Sequence, residues 1–128
     1  MDFTKSQTIY MQIADHISEQ ILAGQLQAAD KIPSVREMAT NIAVNPNTVM
    51  RTYTYLQEQG IIFNKRGIGY FVTEQALDKT KSMKKEAFIK QYLPMLFKNM
   101  DLLDIKFEDL KKMHSDYNKG TLIDSSKT

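Results

Sequence analysis

Hydrophobic residues recur at helical spacing in the first part of the chain. Between residues 8 and 22 an isoleucine stands at every fourth position, which predicts an amphipathic helix that Gly24 is suited to end. Further on, Ser34 stands three residues before Glu37, which is the spacing of a capping box. A short apolar face follows as far as Ile42. The pattern therefore predicts two helices, the second of them short.

A third helix is expected over residues 46–59. Asn45 is suited to cap its start, and Pro46 fits the first helical position because that position needs no backbone N–H donor. Gly60 is suited to end the helix. The residues predicted to face the core are Val49, Tyr53 and Leu56. The opposite face is left with polar residues, one methionine and one arginine.

After Gly60 the period changes from helix to strand. Two runs of β-forming residues lie within 61–72, and residues 64–67 between them are typical of a hairpin tip. Three helices followed by a two-stranded hairpin predict a winged helix-turn-helix, so the fold class is mainly α with a small β-hairpin.

The chain then becomes polar over 74–82, which we interpret as a hinge. A dense apolar stripe between 88 and 100 predicts another helix, in which Pro94 should kink the helix or mark the first turn of a new one. One more short helix is expected at 106–117. The predicted domains are 1–75, the winged helix-turn-helix; 76–118, a helical dimerisation segment; and 119–128, a flexible tail.

Composition and charge exclude several classes of protein. The chain of 128 residues contains no cysteine, so disulfides and thiolate metal sites are impossible. The N-terminal residues show no signal-peptide pattern, and no apolar run approaches the roughly 20 residues of a membrane span, so we expect a cytoplasmic protein without membrane association. Residues 1–77 carry six basic and seven acidic side chains, and only local placement can therefore indicate nucleic-acid binding.

The start of the third helix is the best candidate for that placement. A recognition helix presents its N-terminal residues to the base edges of the major groove. Asparagine can pair with adenine, the threonine methyl can contact thymine, and arginine can bind guanine or a phosphate. The side chains at that end are Asn45, Asn47, Thr48, Met50 and Arg51. Each has a simpler alternative: Asn45 could only cap the helix, and Arg51 could be an ordinary surface residue.

Residues 8–73 resemble the DNA-binding domain of GntR-family bacterial transcription regulators. The resemblance is carried by Tyr10 to Ile13, by the Pro-Ser-x-Arg-x-x-Ala segment from Pro33, by Val-Asn-Pro-Asn-Thr-Val from Val44, and by the Gly-x-Gly-x-Phe-Val wing from Gly67. The Asn-Pro-Asn-Thr segment and the short C-terminal part are similar to the YtrA-like subfamily.

The resemblance implies a DNA-binding transcription regulator, and we expect a sequence-specific repressor that binds a two-fold symmetric double-stranded DNA operator. It implies that Ser34 and Arg36 touch the backbone or a base, that the third helix reads the major groove, and that the wing at 64–69 reaches the minor groove. Among the wing residues the resemblance concerns Gly67, while Lys65 and Arg66 are candidates as basic residues at the hairpin tip, which could also be an ordinary basic turn. Two departures stand out, since Ala28-Ala29 replaces the usual Pro-Gly and Met50 stands where many relatives have arginine.

The apolar stripe in the C-terminal segment predicts a homodimer, because a helix that apolar needs burial against a partner. The expected interface residues are Phe88, Tyr92, Leu93, Leu96, Phe97 and Met100. The alternative is that the stripe folds back onto its own domain. A small-molecule effector is left open as a further partner, although about 50 residues are too few for a pocket within one chain.

Two other functions are compatible with a small domain of this size. An enzyme is not expected, because the sequence contains no catalytic constellation: the two histidines are isolated, and no glycine-rich phosphate loop is present. No metal site and no cofactor are expected either. A winged helix that serves as a protein-interaction module without specific DNA binding remains the alternative function, since the N-terminal half has little net charge.

Overall fold

The computed structural model describes residues 7–120, and within them five helices and three short strands. In chain order these are α1 (Ile9–Leu22), β1 (Lys31–Ile32), α2 (Val35–Ile42), α3 (Pro46–Glu58), β2 (Ile62–Lys65), β3 (Gly69–Val72), α4 (Ala76–Leu103) and α5 (Phe107–Asn118). The chain divides into two compact units, and the division falls between Lys85 and Glu86.

Each of the first three helices begins at a side-chain cap, and the caps of α2 and α3, Ser34 and Asn45, are the predicted ones. The Thr8 side chain accepts the backbone N–H of Met11 at the start of α1. The predicted capping box is present at α2: the Ser34 hydroxyl accepts the N–H of Glu37 at 3.1 Å, and the Glu37 carboxylate accepts the N–H of Ser34 at 2.8 Å. These reciprocal bonds satisfy two backbone donors that a helix start would otherwise leave without partners.

The core of the first unit lies between α1, α3 and the sheet. Three isoleucines of α1 and three residues of α3 supply nearly half of its buried residues, at the positions that their spacing predicted. The fully buried large side chains include Ile17, Val49, Tyr53, Leu56, Ile61, Ile62 and Val72. The predicted inward face of α3 is thereby confirmed, as is that of α1 at Ile13, Ile17 and Ile21, whereas Ile9, the first isoleucine of the pattern, retains 57% of its surface.

The sheet has one strand more than predicted. Its order is β1-β3-β2, and both pairings are antiparallel. The missed strand, β1, pairs Lys31 with Phe71 and Ile32 with Tyr70. Two residues are too few to show an alternating pattern, which explains the omission. The hairpin turn also lies later than predicted, since β2 continues as far as Lys65.

The connector between α1 and β1 contains a strained residue where the GntR-like pattern usually has glycine. Ala29 adopts a φ of 72°, in the left-handed region that disfavours residues with a Cβ atom. Two hydrogen bonds to β3 hold the connector in place: the N–H of Ala29 donates to the carbonyl of Val72, and the N–H of Val72 donates to the carbonyl of Asp30, both at 2.9 Å.

The polar stretch at 74–82, interpreted as a hinge, is helical from Ala76 onward, and that interpretation was wrong. Ala76 and Thr80 lie one helical turn apart, and both are buried. Lys84, one turn further, forms a 2.7 Å ion pair with Asp15 of α1. Three contacts at helical spacing thus attach the first turns of α4 to the first unit, and sequence polarity alone did not reveal them.

The helix α4 continues through Pro94 to Leu103, so no new helix begins at the proline. The final helix, α5, begins and ends one residue later than the predicted 106–117. The predicted domain boundary at residue 75 remains a prediction. Of the predicted flexible tail, 119–128, residues 121–128 lie outside the described part of the chain.

Candidate nucleic-acid interface

The helix α3 is attached to the rest of the first unit along one side. Val49, Tyr53 and Leu56 have no exposed surface. The Tyr53 hydroxyl donates to the carbonyl of Pro33 at 2.6 Å, and its ring makes an edge contact with the ring of Tyr70 at 4.8 Å. Burial raises the pKa of Tyr53 above its ordinary value, because the buried environment disfavours the phenolate. This side of α3 is therefore closed to solvent and to any ligand.

The other side of α3 is open. Asn47, Met50, Arg51 and Thr54, which are spaced by three and four positions, are all exposed, and Met50 retains 45% of its surface. Thr48 is half-buried between the two sides. The predicted division of this helix into an attached face and an outward face is confirmed by these exposures.

Asn45 has the capping role that its simpler alternative described. Its side-chain oxygen accepts the N–H of Asn47 at 2.7 Å, and Pro46 occupies the first helical position. The capping bond uses the side-chain oxygen only, and the side chain is exposed. The capping bond therefore leaves the two N–H donors of the Asn45 amide available at the helix start.

Arg51 has a defined partner that sequence reasoning missed. Its guanidinium carbon lies 4.2 Å from the centre of the Tyr10 ring in α1. The neighbouring Thr52, which is fully buried, donates its hydroxyl to the backbone carbonyl of Tyr10 at 2.8 Å. Tyr10 stands one helical turn before the buried pair Ile13 and Ala14, so it lies at the edge of the α1 face that packs into the core.

The start of α2 presents two of the predicted residues. Ser34 is half-buried and its hydroxyl takes part in the capping box, whereas Arg36 is exposed. The hydrogen bonds from Ser34, and Lys31 nearby, lower the pKa of the Glu37 carboxyl. Pro33, Ser34, Arg36 and Glu37 together line an open depression that extends along α2. The Glu37 carboxylate therefore lies next to Ser34 and Arg36, the two residues of α2 and its cap that are expected to contact DNA.

The wing carries the remaining predicted residues at its tip. Lys65, Arg66 and Gly67 are exposed, and the turn is closed by a 2.8 Å bond from the N–H of Ile68 to the carbonyl of Lys65. Gly67 has a φ of +79°, and a Cβ atom there would meet nothing within 4 Å. The tip is thus open to solvent, and backbone conformation is the reason for a glycine at this position.

A second lysine lies beside the wing because of the missed strand. Lys31 pairs with Phe71 across the sheet, and its side chain passes 3.0 Å from the position that a Cβ of Gly69 would occupy. Lys65 lies on the same sheet, with its ammonium nitrogen 5.8 Å from the centre of the Phe71 ring. Sequence reasoning had not selected Lys31, since the two-residue strand that positions it carries no pattern.

The ten predicted DNA-binding residues all belong to the first unit, and none of them is buried. They occupy the start of α2, the outward face of α3 and the tip of the wing. When Lys31 is included, five basic side chains lie on or beside these three elements, out of the six that residues 1–77 contain. The positive charge of this half of the chain is therefore concentrated at the candidate interface.

The predicted dimer residues lie in the second unit and differ in exposure. Phe88, Leu96 and Phe97 are exposed, Tyr92 and Leu93 are half-buried, and Met100 is only 5% exposed. Met100 is therefore already covered within its own chain. Further apolar residues of this unit are exposed, namely Ile89, Met95, Leu102, Leu103, Phe107, Met113 and Tyr117.

Two negative findings concern the described part of the chain. Between residues 7 and 120, no three histidine or carboxylate side chains are grouped closely enough to hold a metal ion. Across the same residues, none of the helices combines the length and the apolar character needed to cross a membrane.

The three helices, the paired strands and the open recognition helix define a winged helix-turn-helix protein. The profile of "Bacterial regulatory proteins, gntR family" matches residues 9–72. The chain is 39% identical over 111 residues to the HTH-type transcriptional repressor YtrA of Bacillus subtilis, which covers 86% of this chain and 84% of that protein. The HTH-type transcriptional regulator YhcF of the same organism is 43% identical over 95 residues, or 70% of this chain and 78% of YhcF.

A solved structure gives the same result. The crystal structure of a GntR-family transcriptional regulator from Bacteroides thetaiotaomicron is similar with a TM-score of 0.77 and 44% identity, and it covers 88% of this chain and 97% of that one. The chain belongs to the GntR family, as its motifs predicted. It is a DNA-binding transcriptional regulator and not an enzyme.

Proposed function

We propose that the chain is a repressor that binds a two-fold symmetric operator as a homodimer. The recognition helix, about 46–59, enters the major groove, and the wing at 64–69 lies at the minor groove. One observation carries the proposal: α3 is closed on its core side and presents polar and cationic side chains outward from its N-terminal end. A groove of ~12 Å admits a helix in that orientation.

We expect the side chains of the first two turns of α3 to contact the bases. The amides of Asn45 and Asn47 suit adenine, and the methyl group of Thr48 suits thymine. Arg51 suits the O6 and N7 acceptors of guanine, or else a phosphate. Met50 offers only an apolar contact, so we expect it to discriminate through the thymine methyl group or through shape.

We expect the start of α2 and the wing to contact the DNA backbone. The Ser34 hydroxyl can still donate its proton to a phosphate while it accepts the capping bond. Arg36, Lys65 and Arg66 supply charge, and Gly67 allows the wing backbone a close approach. Such contacts fix the register of a protein on DNA without reading its sequence.

Dimerisation supplies the affinity that one unit lacks. Phosphate neutralisation dominates DNA affinity, and the net charge of residues 1–77 is close to zero. Two linked copies on one duplex gain effective concentration and match a symmetric site. The exposed apolar residues of the second unit support such an interface, which we assign to Phe88, Tyr92, Leu93, Leu96 and Phe97. Met100 lies outside this set, because its side chain is already covered within its own chain.

The similar protein YtrA of Bacillus subtilis is a transcriptional repressor by name, which supports repression for this chain too. We propose action in the cytoplasm, because that compartment of a bacterial cell holds the DNA. A small-molecule effector fits this scheme only if it binds between subunits.

Selection of bound sequences from a random DNA pool tests the proposal. We expect a palindromic consensus whose half-sites are centred about one helical turn, or a multiple of it, apart. Enrichment of a single unrepeated half-site would contradict the dimer, and no enrichment at all would favour the protein-interaction module. Analytical ultracentrifugation at micromolar concentration provides an independent check, and a monomeric mass there would refute dimerisation directly.

A further inference from the structure

Tyr10 is held by two adjacent residues of the recognition helix through two different contacts. The Arg51 guanidinium lies over its ring at 4.2 Å, and the Thr52 hydroxyl donates to its backbone carbonyl at 2.8 Å. Thr52 has no exposed surface, Tyr10 is half-buried, and Arg51 is exposed. The backbone of α1 at Tyr10 is thus anchored to α3 by a part-buried hydrogen bond, and the arginine lies over the Tyr10 ring at the surface.

This geometry leaves the arginine able to bind. A guanidinium is planar, and its N–H donors point outward in that plane. Stacking on an aromatic ring uses one face of the plane and leaves the donors at its edge available for a phosphate or a guanine. Within residues 7–120, no carboxylate oxygen lies within 4.0 Å of the Arg51 guanidinium to compete for those donors.

We propose that Tyr10 is a positioning residue for DNA recognition, which orders the Arg51 side chain before DNA arrives. A free arginine has many rotamers and loses that freedom on binding, which weakens the complex. An arginine already held against a ring loses less. The inference rests on the proposed contact of Arg51 with operator DNA, and it assigns to α1 a part in recognition although α1 touches no base itself.

The expected effect can be stated as a change in affinity. A cation–π contact at an exposed site corresponds to a factor of about two to five in an equilibrium constant. Replacing Tyr10 by leucine, which keeps apolar bulk and the backbone carbonyl but removes the ring, should weaken operator binding by about that factor. Tyr10→Phe keeps the ring and should bind like the unaltered chain.

Double variants separate positioning from general damage to the fold. Once Arg51 has been replaced by alanine, Tyr10→Leu should cause no further loss of operator affinity, because the residue being positioned is gone. Lys65→Ala serves as the matched control, since Lys65 lies in the wing and its recorded ring contact is with Phe71. In the double variant with Tyr10→Leu and Lys65→Ala, the two fold-losses in operator affinity should therefore multiply. All measurements use the full chain and the sequence selected from the random pool.

A readout without DNA completes the test. In the free protein the side-chain protons of Arg51 should show an upfield ring-current shift, which Tyr10→Phe preserves and Tyr10→Leu abolishes. The same spectra show whether each variant is folded.

The outcomes distinguish this inference from the proposed function. If Arg51→Ala binds the operator with unchanged affinity, the proposed contact of Arg51 with DNA is refuted, and so is the positioning role of Tyr10. If Arg51→Ala weakens binding but Tyr10→Leu does not, the contact stands and the positioning role is overturned. Equal losses from Tyr10→Phe and Tyr10→Leu, or a further loss from Tyr10→Leu in the Arg51→Ala background, would overturn it as well.

Discussion

The hydroxyl of Tyr53 offers a way to measure how firmly the recognition helix is attached. It donates to the carbonyl of Pro33 at 2.6 Å, immediately before the capping box of α2. Tyr53→Phe removes only the hydroxyl, since the ring that packs against Tyr70 is retained. A typical intramolecular hydrogen bond contributes about 0.5–1.5 kcal/mol, so we expect the free energy of unfolding to fall by about 1 kcal/mol.

The raised pKa of Tyr53 predicts how this difference depends on pH. In the unfolded chain the phenol ionises near its ordinary pKa of about 10, whereas in the folded chain it remains protonated well above that. The stabilisation is therefore fully present below pH 10 and is lost as the pH rises toward the folded pKa. At pH 10.5 ionisation of the unfolded chain alone should remove about 0.8 kcal/mol of it.

Urea unfolding monitored by circular dichroism can measure both effects at pH 7.5 and pH 10.5. The unaltered chain should exceed Tyr53→Phe by about 1 kcal/mol at the lower pH, which corresponds to roughly 4–8 °C in Tm for a unit of this size. The two proteins should have nearly equal stability at the higher pH. A difference that stays constant between the two pH values would refute the assigned pKa, and no difference at pH 7.5 would refute the hydrogen bond as a stabilising contact.

Four further predictions concern single positions. Arg51→Ala should cost roughly 1–3 kcal/mol on the selected operator and relax its specificity, and mobility-shift titrations with unchanged affinity would remove Arg51 from the contacts. Lys65→Ala should weaken all DNA sequences alike and reduce the slope of log K against log salt by about 1, so a loss confined to the operator would contradict a backbone role. Ser34→Ala should lower the free energy of unfolding by about 1 kcal/mol through loss of the cap, and equal Tm values would show that the cap contributes nothing. Ala29→Gly should raise stability by roughly 0.5–1 kcal/mol, because relief of left-handed strain exceeds the added entropy of the unfolded chain, and a lower Tm would refute this account.

Most of the helical part of the fold could be predicted from the sequence, because its signals are local. Capping at Ser34 and Asn45 depends on residues within three positions, and the inward face of α3 follows from spacing alone. The strand β1 could not be predicted, since its existence depends on pairing with Tyr70 and Phe71, far along the chain. The first turns of α4 were missed for the same reason: Lys84 is polar in sequence, yet it pairs with Asp15 of α1.

The residues of the candidate site also divide into those that local sequence patterns predict and those that depend on tertiary contacts. The residues on α3 were predictable because their exposure follows from the helical period. The partner of Arg51 and the position of Lys31 were not, because each depends on a contact between elements distant in sequence. Sequence motifs thus indicated which side chains could meet DNA, and the tertiary contacts indicate which of them are held in place beforehand.

The two faces of α3 have a consequence for how such a regulator can change its target. The residues that hold the helix, Val49, Tyr53 and Leu56, are separate from those that project from it, and surface substitutions away from packed features usually alter stability by no more than about 0.5 kcal/mol. Asn47 and Met50 can therefore be exchanged with little effect on folding. A lineage that duplicates this gene can acquire a new operator through a few outward substitutions while its core stays the same.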